Sequence, residues 1–359
     1  MKTGKSITEL AAQLQSIRDT AKDYIVPPQK LDAMRATVDD GRTAIVVRNG
    51  EEHVFDPTPW AHSQLATYAQ MPKAYYDRIA TENPALHADS LNHGFRVADR
   101  KSGRMLRTHN GTLRAMVSSR FRRLDNYDLF EAIAPALIDL GFEPKSTELT
   151  DRRMYLKVVT PKVTAEISVG DVVQYGLVVS NSDVGAGSVR VEPLIYRLVC
   201  KNGMITSAAI SKAHLGRNMM GEDVEELLTD ETRQLTDAAF WHQVRDVVRN
   251  FARPEFFEQE VNRLREARGV AIKNFDLPEI VTRTAKQVGA TLTESTRKSI
   301  LDNLASGADG AGMNKWGLAN AFTFAAQQVE SYDDATDIER AGSQIITLSP
   351  KQWEVINAS

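Results

Sequence analysis

The chain has 359 residues, of which 42% are hydrophobic and 25% are charged, and its formal net charge is −3. These values are typical of a soluble globular protein with two or three domains. The single cysteine, Cys200, excludes an intrachain disulfide and a cysteine-based zinc site. No apolar run approaches the roughly 18 residues of a membrane span, and the first residues lack the apolar core of a secretory signal. We therefore expect a cytoplasmic protein without a membrane partner.

Helices and a hairpin are predicted for the first 90 residues, which we take as the first domain. A capping box at Ser6 to Glu9 opens an amphipathic helix predicted over residues 7–22. The dipeptide Asn49-Gly50 lies between two β-rich runs and readily adopts the backbone angles of a tight hairpin turn. The other elements expected here are a hairpin over 44–55 and helices over 60–68 and 72–79.

The most unusual feature of the chain is its basic segment, residues 96–125. It contains nine Arg or Lys and two Asp, a net charge of +7 in a chain that is acidic overall. Strands are predicted near 92–98, 104–108 and 112–118, with a turn at Asn110-Gly111. Because guanidinium groups bind phosphate bidentately, arginines on such strands predict contact with a polyanion. The candidate residues are Arg96, Arg104, Arg107, Arg114, Arg120, Arg122 and Arg123.

The alternative for this segment is a solvated charged face, or ion pairs with acidic helices of another subunit. The aromatic residues nearby, Phe95, Phe121 and Tyr127, either stack on bases or fill the core. The sequence does not decide between these possibilities.

A central β-rich domain is predicted over residues 91–215. After a helix over 126–141 that Pro135 should kink or split, strands are predicted over 152–160, 163–169, 172–180 and 188–200. The loop Asn181–Ser188 is small and Gly-bearing, so its backbone N–H groups could hold an anion, although it lacks the lysine of a P-loop. The alternative is a sharp connection between strands. We expect Asn181, Ser182 and Lys201 to help close a nucleic-acid groove.

Residues 216–359 form the third predicted domain, which is mostly helical. Its first part is acidic, since residues 221–260 contain eleven acids and four arginines, a net charge of −7. Helices are predicted over 222–268, 277–330 and 333–341. The predicted fold class is therefore α+β, with N-terminal helices and a hairpin, a central antiparallel sheet and a mostly helical C-terminal third.

Catalytic signatures are missing from the sequence. The seven histidines show no metal-ligand spacing, and there is no nucleophile elbow or dinucleotide fingerprint. We expect no catalytic residue, no metal and no cofactor.

Five stretches of the chain carry a resemblance to a known family. They are Tyr175–Ile205, Thr58–Ile79, Phe121–Ile133, Arg152–Val159 and Asn314–Gly342. Together they resemble an uncharacterised phage- and plasmid-related protein family, a domain of unknown function, over most of residues 55–350. The arginine-rich strands followed by a helix also resemble phage single-strand annealing proteins, an associational likeness. The resemblance brings no catalytic residues with it.

These observations predict a non-catalytic, sequence-independent nucleic-acid-binding protein of a phage or mobile element. Its expected partner is single-stranded DNA, bound and annealed during recombination in the cytoplasm of the bacterial host. A homo-oligomeric ring or filament would follow from acidic helices of one subunit facing the basic segment of the next. The open alternatives are a self-assembling protein that binds no nucleic acid, a phage factor that modulates a host protein, and an enzyme with a dispersed site. The choice between DNA and RNA also stays open.

Overall fold

The computed structural model describes residues 1–27, 33–98, 102–206, 210–212, 230–307 and 311–358. The fold is α+β, as predicted, with strands concentrated in the N-terminal and central parts and helices in the C-terminal part. None of the helices in these ranges is long and apolar enough to cross a membrane.

The first sheet has the strand order β1-β5-β6-β4-β3-β2. Its strands are β1 (Ala21–Val26), β2 (Met34–Asp39), β3 (Arg42–Asn49), β4 (Glu51–Pro57), β5 (Arg104–His109) and β6 (Thr112–Ser118). Neighbouring strands are antiparallel except β4 and β6, which are parallel. Both Asn-Gly turns are confirmed, because Gly50 and Gly111 join adjacent strands at φ +81° and +76°. The strands of the basic segment thus belong to the same sheet as the N-terminal strands.

The helices of the N-terminal part are α1 (Ile7–Thr20), α2 (Pro59–Tyr68), α3 (Lys73–Glu82) and α4 (Pro84–Val97), of which α2, α3 and α4 pack against this sheet. The capping box of α1 is confirmed, but the helix ends two residues before the predicted boundary because β1 begins at Ala21. The strand predicted near 92–98 is wrong, since these residues close α4. The Asn83 side chain caps α4, Pro84 opens it, and Leu91 and Phe95 are buried four residues apart, which is helical spacing.

The second sheet is antiparallel, with the order β11-β10-β9-β8-β7, and β12 also pairs with β10. Its strands are β7 (Glu143–Leu149), β8 (Met154–Ser168), β9 (Asp171–Asn181), β10 (Val189–Arg197), β11 (Asn202–Ile205) and β12 (Ile210–Lys212). The two strands predicted over 152–160 and 163–169 are one strand, β8. Its register against β9 shifts between Thr160 and Thr164, and this irregularity absorbs the break in the sequence pattern.

The remaining helices are α5 (Asn126–Asp139), α6 (Asp230–Phe251), α7 (Pro254–Arg268), α8 (Leu277–Gln287), α9 (Glu294–Ser306), α10 (Lys315–Ala325), α11 (Tyr332–Thr347) and α12 (Pro350–Asn357). The predicted split at Pro135 is wrong, because α5 is continuous through that residue. The predicted helical segment 222–268 is observed as α6 and α7, and its first eight residues lie outside the described ranges. The three predicted domains remain a prediction.

The two largest of four apolar clusters among the described residues form the main cores of the chain. The first sheet packs on α2 and α4 through Leu65, Leu91 and Leu106, among others. The larger core joins the second sheet to α1, α5 and the C-terminal helices, and it includes Tyr175 and Trp316. The contacts between the two sheets therefore determine the geometry of any site that lies between them.

A buried ion pair links the second sheet to α11. Lys157 of β8 and Glu339 of α11 are both fully buried, with Nζ 2.6 Å from Oε2. The Lys157 ammonium also donates to Thr336 at 3.1 Å and lies 4.5 Å from the Tyr332 ring centroid. Burial lowers the pKa of Lys157, and the adjacent Glu339 carboxylate opposes that shift. Each of the two buried charges is therefore stabilised in the interior by the other.

We predict that Lys157→Met destabilises the protein by about 3–5 kcal/mol, because it leaves the Glu339 charge buried without a partner. The double variant Lys157→Met/Glu339→Leu should recover most of that loss. Urea unfolding followed by circular dichroism measures both. If the double variant is as unstable as the single one, then packing and not charge accounts for the effect.

A buried histidine cluster lies beneath the first sheet. His87 is fully buried, and its Nδ1 is 2.8 Å from Thr43 Oγ1. Its ring contacts the edge of Tyr76 at 4.3 Å between centroids, and the Tyr76 hydroxyl is 2.7 Å from His62 Nδ1. Burial, and secondly the neighbouring His62, lowers the pKa of His87 from 6.5 to about 4. His87 is therefore neutral in the folded protein at neutral pH.

This pKa predicts that acid destabilises the folded state through His87. Below pH 6.5 the unfolded chain takes up a proton that the folded protein refuses until about pH 4, so stability falls over that window. We expect wild type to lose up to about 1.4 kcal/mol per pH unit relative to His87→Gln. Urea unfolding of both proteins at pH 7, 6 and 5 measures this, and parallel pH profiles would contradict it.

Candidate nucleic-acid interface

The loop Asn181–Ser188, which we call the docking loop, joins β9 to β10 and rests on the first sheet. Val184 is buried in a small apolar cluster with Met105 and Val117 of the two basic strands. The indole Nε1 of Trp60 and the amide Nε2 of Gln64 both donate to the Val184 carbonyl at 2.9 Å. The loop thus connects the two sheets by apolar packing and by hydrogen bonds to its backbone.

Asp183 of the docking loop binds two arginines of the basic strands. Arg114 donates from one guanidinium nitrogen to both Asp183 carboxylate oxygens, at 2.8 and 3.0 Å. Arg107 donates to the Asp183 backbone carbonyl at 2.6 Å. Gly185 follows at φ +81°, and a Cβ there would lie 3.0 Å from a Val117 methyl, so only glycine fits without strain.

Arg107 is the centre of a buried charge network. Its residue exposure is 3%, and besides Asp183 it contacts Asp125 at 2.7 Å and Asp23 at 3.1 Å. Burial by itself would lower the pKa of Arg107, but the three surrounding aspartates raise it above its ordinary value. Arg107 is therefore a permanently charged anchor inside the protein, and its guanidinium is occupied.

The other predicted arginines have different surroundings. Arg122 forms an ion pair with Asp237 of α6 at 2.6 Å and lies over the Phe240 ring. The guanidinium of Arg104 stacks 4.3 Å from the Tyr68 ring centroid. Three members of the set are exposed, namely Arg96, Arg120 and Arg123. Arg123 also contacts Asp23 at 3.2 Å, with 49% of its side chain exposed.

The three polar residues predicted to close a groove are not brought together. Asn181 is buried and donates to Asn126 and to the Leu124 carbonyl, while the buried Ser182 hydroxyl accepts from the Ala186 N–H. Lys201 is exposed in the turn after β10. Because β10 is nine residues long, roughly 30 Å separates its two ends. Asn181 and Ser182 thus hold the docking loop, and Lys201 lies at the far end of the sheet.

A cleft of about 290 Å³ opens beside the charge network, between α1, β1 and the start of α5. This cavity is referred to below as the cleft. Its lining residues are Leu14, Ile17, Arg18, Ala21, Asp23, Arg107, Arg114, Arg123, Asp125, Asn126, Tyr127, Asp128 and Asp183. At its edge the exposed Arg18 guanidinium lies 4.2 Å from the Tyr127 ring centroid.

Arg18 is not among the residues predicted from the sequence, because its position at the cleft depends on tertiary contacts. Arg18 is in the last turn of α1, far from the basic segment in sequence. The strand that follows, β1, pairs with β5 so that Asp23 stands opposite Arg107. This pairing brings the end of α1 next to Arg123 and Tyr127. The only local signal was a basic residue at a helix C-terminus, which is common for dipole reasons alone.

Within the described ranges no group of three His, Cys, Asp or Glu side chains could hold a metal ion. Three aspartates of the cleft, Asp23, Asp125 and Asp183, instead pair with arginines.

Comparison with known proteins gives one match. The family model described as "Domain of unknown function (DUF932)" matches residues 114–341, from β6 to α11. Comparisons with curated proteins and with solved structures found no match. The matched region includes the docking loop and the whole described second sheet.

The network predicts a strong effect of Asp183→Asn. The substitution keeps the size of the side chain but leaves Arg114 without its carboxylate and weakens the field around Arg107, so we expect a loss of about 3 kcal/mol or more. The matched control is Asp302→Asn, because Asp302 is exposed and forms no ion pair with the described residues. Urea unfolding compares the two. Equal, small losses would mean that the buried arginines find other partners.

Proposed function

The chain belongs to the DUF932 family, and we propose that it is a non-catalytic protein of a phage or mobile element that binds single-stranded DNA. Its role is to anneal strands in recombination, independently of sequence in its phosphate contacts. The observation that carries this proposal is the edge of the cleft. There the exposed arginines Arg18 and Arg123 line the same cleft as Tyr127, and the Arg18 guanidinium lies 4.2 Å from the centroid of its ring.

Phosphate contact falls to the two exposed arginines of the cleft, Arg18 and Arg123. Arg107 and Arg114 are engaged inside the protein, so they position the surface and do not touch the ligand. Arg123 shares only one carboxylate and is half exposed. Surface ion pairs contribute about 0–1 kcal/mol, so a phosphate can replace Asp23 as its partner at little cost. Arg18 is held even more weakly, by the stacking contact of its guanidinium with the Tyr127 ring.

Base contact falls to Tyr127. Proteins that bind single strands without sequence preference combine a basic track with aromatic rings on which bases stack, at about 1–3 kcal/mol per base. Tyr127 is half-buried and packs against the larger core, so its ring is held in place. A fixed ring in a cleft edged by two exposed guanidinium groups is the arrangement that this mode of binding needs.

Assembly into a ring or filament is part of the proposal. Among the described strands β2 lies at an edge of the first sheet, and its Val38 is 44% exposed. An edge strand with an exposed apolar residue can pair with another chain. The same observation supports the second candidate, a self-assembling protein that binds no nucleic acid.

We predict that a labelled oligo-dT strand binds with a shallow dependence on salt. Two phosphate contacts give a log-log slope of roughly −1.4, whereas seven would give about −5. The double variant Arg18→Glu/Arg123→Glu should lower the affinity about tenfold or more, because both contacts become repulsive. Fluorescence anisotropy at several salt concentrations measures the slope and the affinities.

The control for this experiment is Lys298→Glu/Lys351→Glu, which makes the same change in charge at two exposed lysines of the C-terminal helices. Its affinity should stay within about twofold of wild type. A similar loss in both double variants would show that only overall charge matters. Wild type that assembles but binds no strand would favour the second candidate.

A further inference from the structure

The cleft has the dimensions and the lining of a small-molecule site. Its volume, about 290 Å³, is at the lower end of the ~300–1,000 Å³ that ligand pockets span. Leu14 and Ile17 contribute apolar surface and Tyr127 contributes an aromatic ring, while charged groups surround them. A bare phosphate gains nothing from apolar walls, whereas a flat heterocycle with a polar edge can use both.

The charges of the cleft are balanced. Four arginines and four aspartates line it. Arg107 and Arg114 are held by Asp23, Asp125 and Asp183. A site built for phosphate alone would show an excess of arginine. The balance indicates that the cleft takes a neutral group of the strand, while the phosphates remain outside at Arg18 and Arg123.

Asp128 is the aspartate of this lining that forms no ion pair and no hydrogen bond with the described residues. It lies in the first turn of α5, is exposed, and accepts no hydrogen bond from the described part of the chain. Although the residue is exposed overall, partial burial of its carboxyl in the cleft and secondly the charge of Asp125 raise the pKa of that carboxyl, and the Arg18 guanidinium opposes this shift only in part. Its carboxylate is therefore poorly stabilised, and it gains from a ligand that donates hydrogen bonds.

We propose that the cleft binds one base of the strand and prefers guanine, with Asp128 accepting its hydrogen bonds. This inference rests on the proposed function. The Watson–Crick edge of guanine carries two adjacent donors, N1–H and the N2 amino group, which one carboxylate accepts together. Thymine presents a single N–H between two carbonyl oxygens, and these repel a carboxylate. Adenine and cytosine each present one amino donor beside an acceptor nitrogen, so they rank between the two.

The consequence is a binder with two separate contributions. Phosphate contacts at Arg18 and Arg123 are the same for every sequence, and stacking on Tyr127 serves any base. The contact with Asp128 adds a preference at one position of the bound strand. The protein thus binds strands of most sequences, and it preferentially places a guanine in the cleft.

The experiment uses full-length protein and three labelled nonamers. They are dT9, the same strand with one central dG, and the same strand with one central deoxyinosine, which lacks the N2 amino group. Good bidentate contacts to a base discriminate by about 1–3 kcal/mol, so we expect the dG strand to bind about tenfold tighter than dT9. The inosine strand should lie between them. Fluorescence anisotropy at one salt concentration gives all three affinities.

Two variants assign the preference to its residue. Asp128→Asn should abolish the preference, so that the dG strand and dT9 bind with equal affinity, whereas Asp302→Asn should retain the full preference. Competition of free dGMP against free dTMP on wild type is a second readout that needs no variant. It should favour dGMP by a similar factor.

The outcomes of this experiment distinguish failure of the guanine preference from failure of the proposed function. If dT9 binds and the dG strand binds no tighter, the inference is overturned and the proposed function stands. A preference that persists in Asp128→Asn also overturns the inference, because another group then reads the base. If no strand binds at all, the proposed function fails, and the inference fails with it.

Discussion

The structure depends on the contact of Asp183 with two arginines of the neighbouring sheet. A charge taken out of water costs several kcal/mol unless an opposite charge and hydrogen bonds replace the solvent. Arg107 is nearly fully buried, and it meets this requirement with Asp23, Asp125 and the backbone of Asp183. Since these partners come from β1, from the start of α5 and from the docking loop, one guanidinium fixes the mutual position of three parts of the chain.

These ion pairs determine how much of the positive charge of the basic segment is exposed to solvent. Counted along the sequence, residues 96–125 carry a strong positive charge. In the fold, Arg107, Arg114 and Arg122 are paired with aspartates from other parts of the chain. The segment therefore contributes a buried network of charges to the fold, and in the proposed function only its exposed members are available to a polyanion. A modest site of this kind agrees with a protein whose overall charge is −3.

The docking loop illustrates how a Gly-bearing loop acquires a structural role. Consecutive small residues suggested an anion-binding turn, and the same smallness lets the loop approach the first sheet closely. Gly185 touches Val117 where any Cβ would be tight, and Val184 enters the apolar cluster. The carbonyls that an exposed loop would present to water receive hydrogen bonds from Trp60, Gln64 and Arg153. Anion binding by this loop stays a prediction that the geometry does not support.

Local signals in the sequence were sufficient for much of the fold. The Asn-Gly turns, the capping box at Ser6 and the long apolar strands each depend on residues close together in the chain, and the structure confirms them. The strand predicted near 92–98 failed because Leu91 and Phe95 are spaced for one face of a helix, and the cap at Asn83 starts that helix.

The candidate site depends instead on long-range pairing. Arg107 meets an aspartate 84 residues before it and another 76 residues after it. No local pattern in the sequence encodes such partners, because they follow from how β1 and β9 are placed against β5. Arg18 and Tyr127 became neighbours for the same reason. The composition of the basic segment was thus visible in the sequence, while the division between its internal and external arginines was not.

Native-state hydrogen exchange tests the central claim, that the docking loop makes the two sheets one cooperative unit. In wild type the amides of β5 and β6 should open with the same free energy as those of β8 and β9. In Gly185→Ala the added methyl group should loosen the loop, so that β5 and β6 open at a lower free energy while β8 and β9 change little. Sheets that already open separately in wild type, or a Gly185→Ala variant whose β5 and β6 amides are as protected as before, would contradict the account.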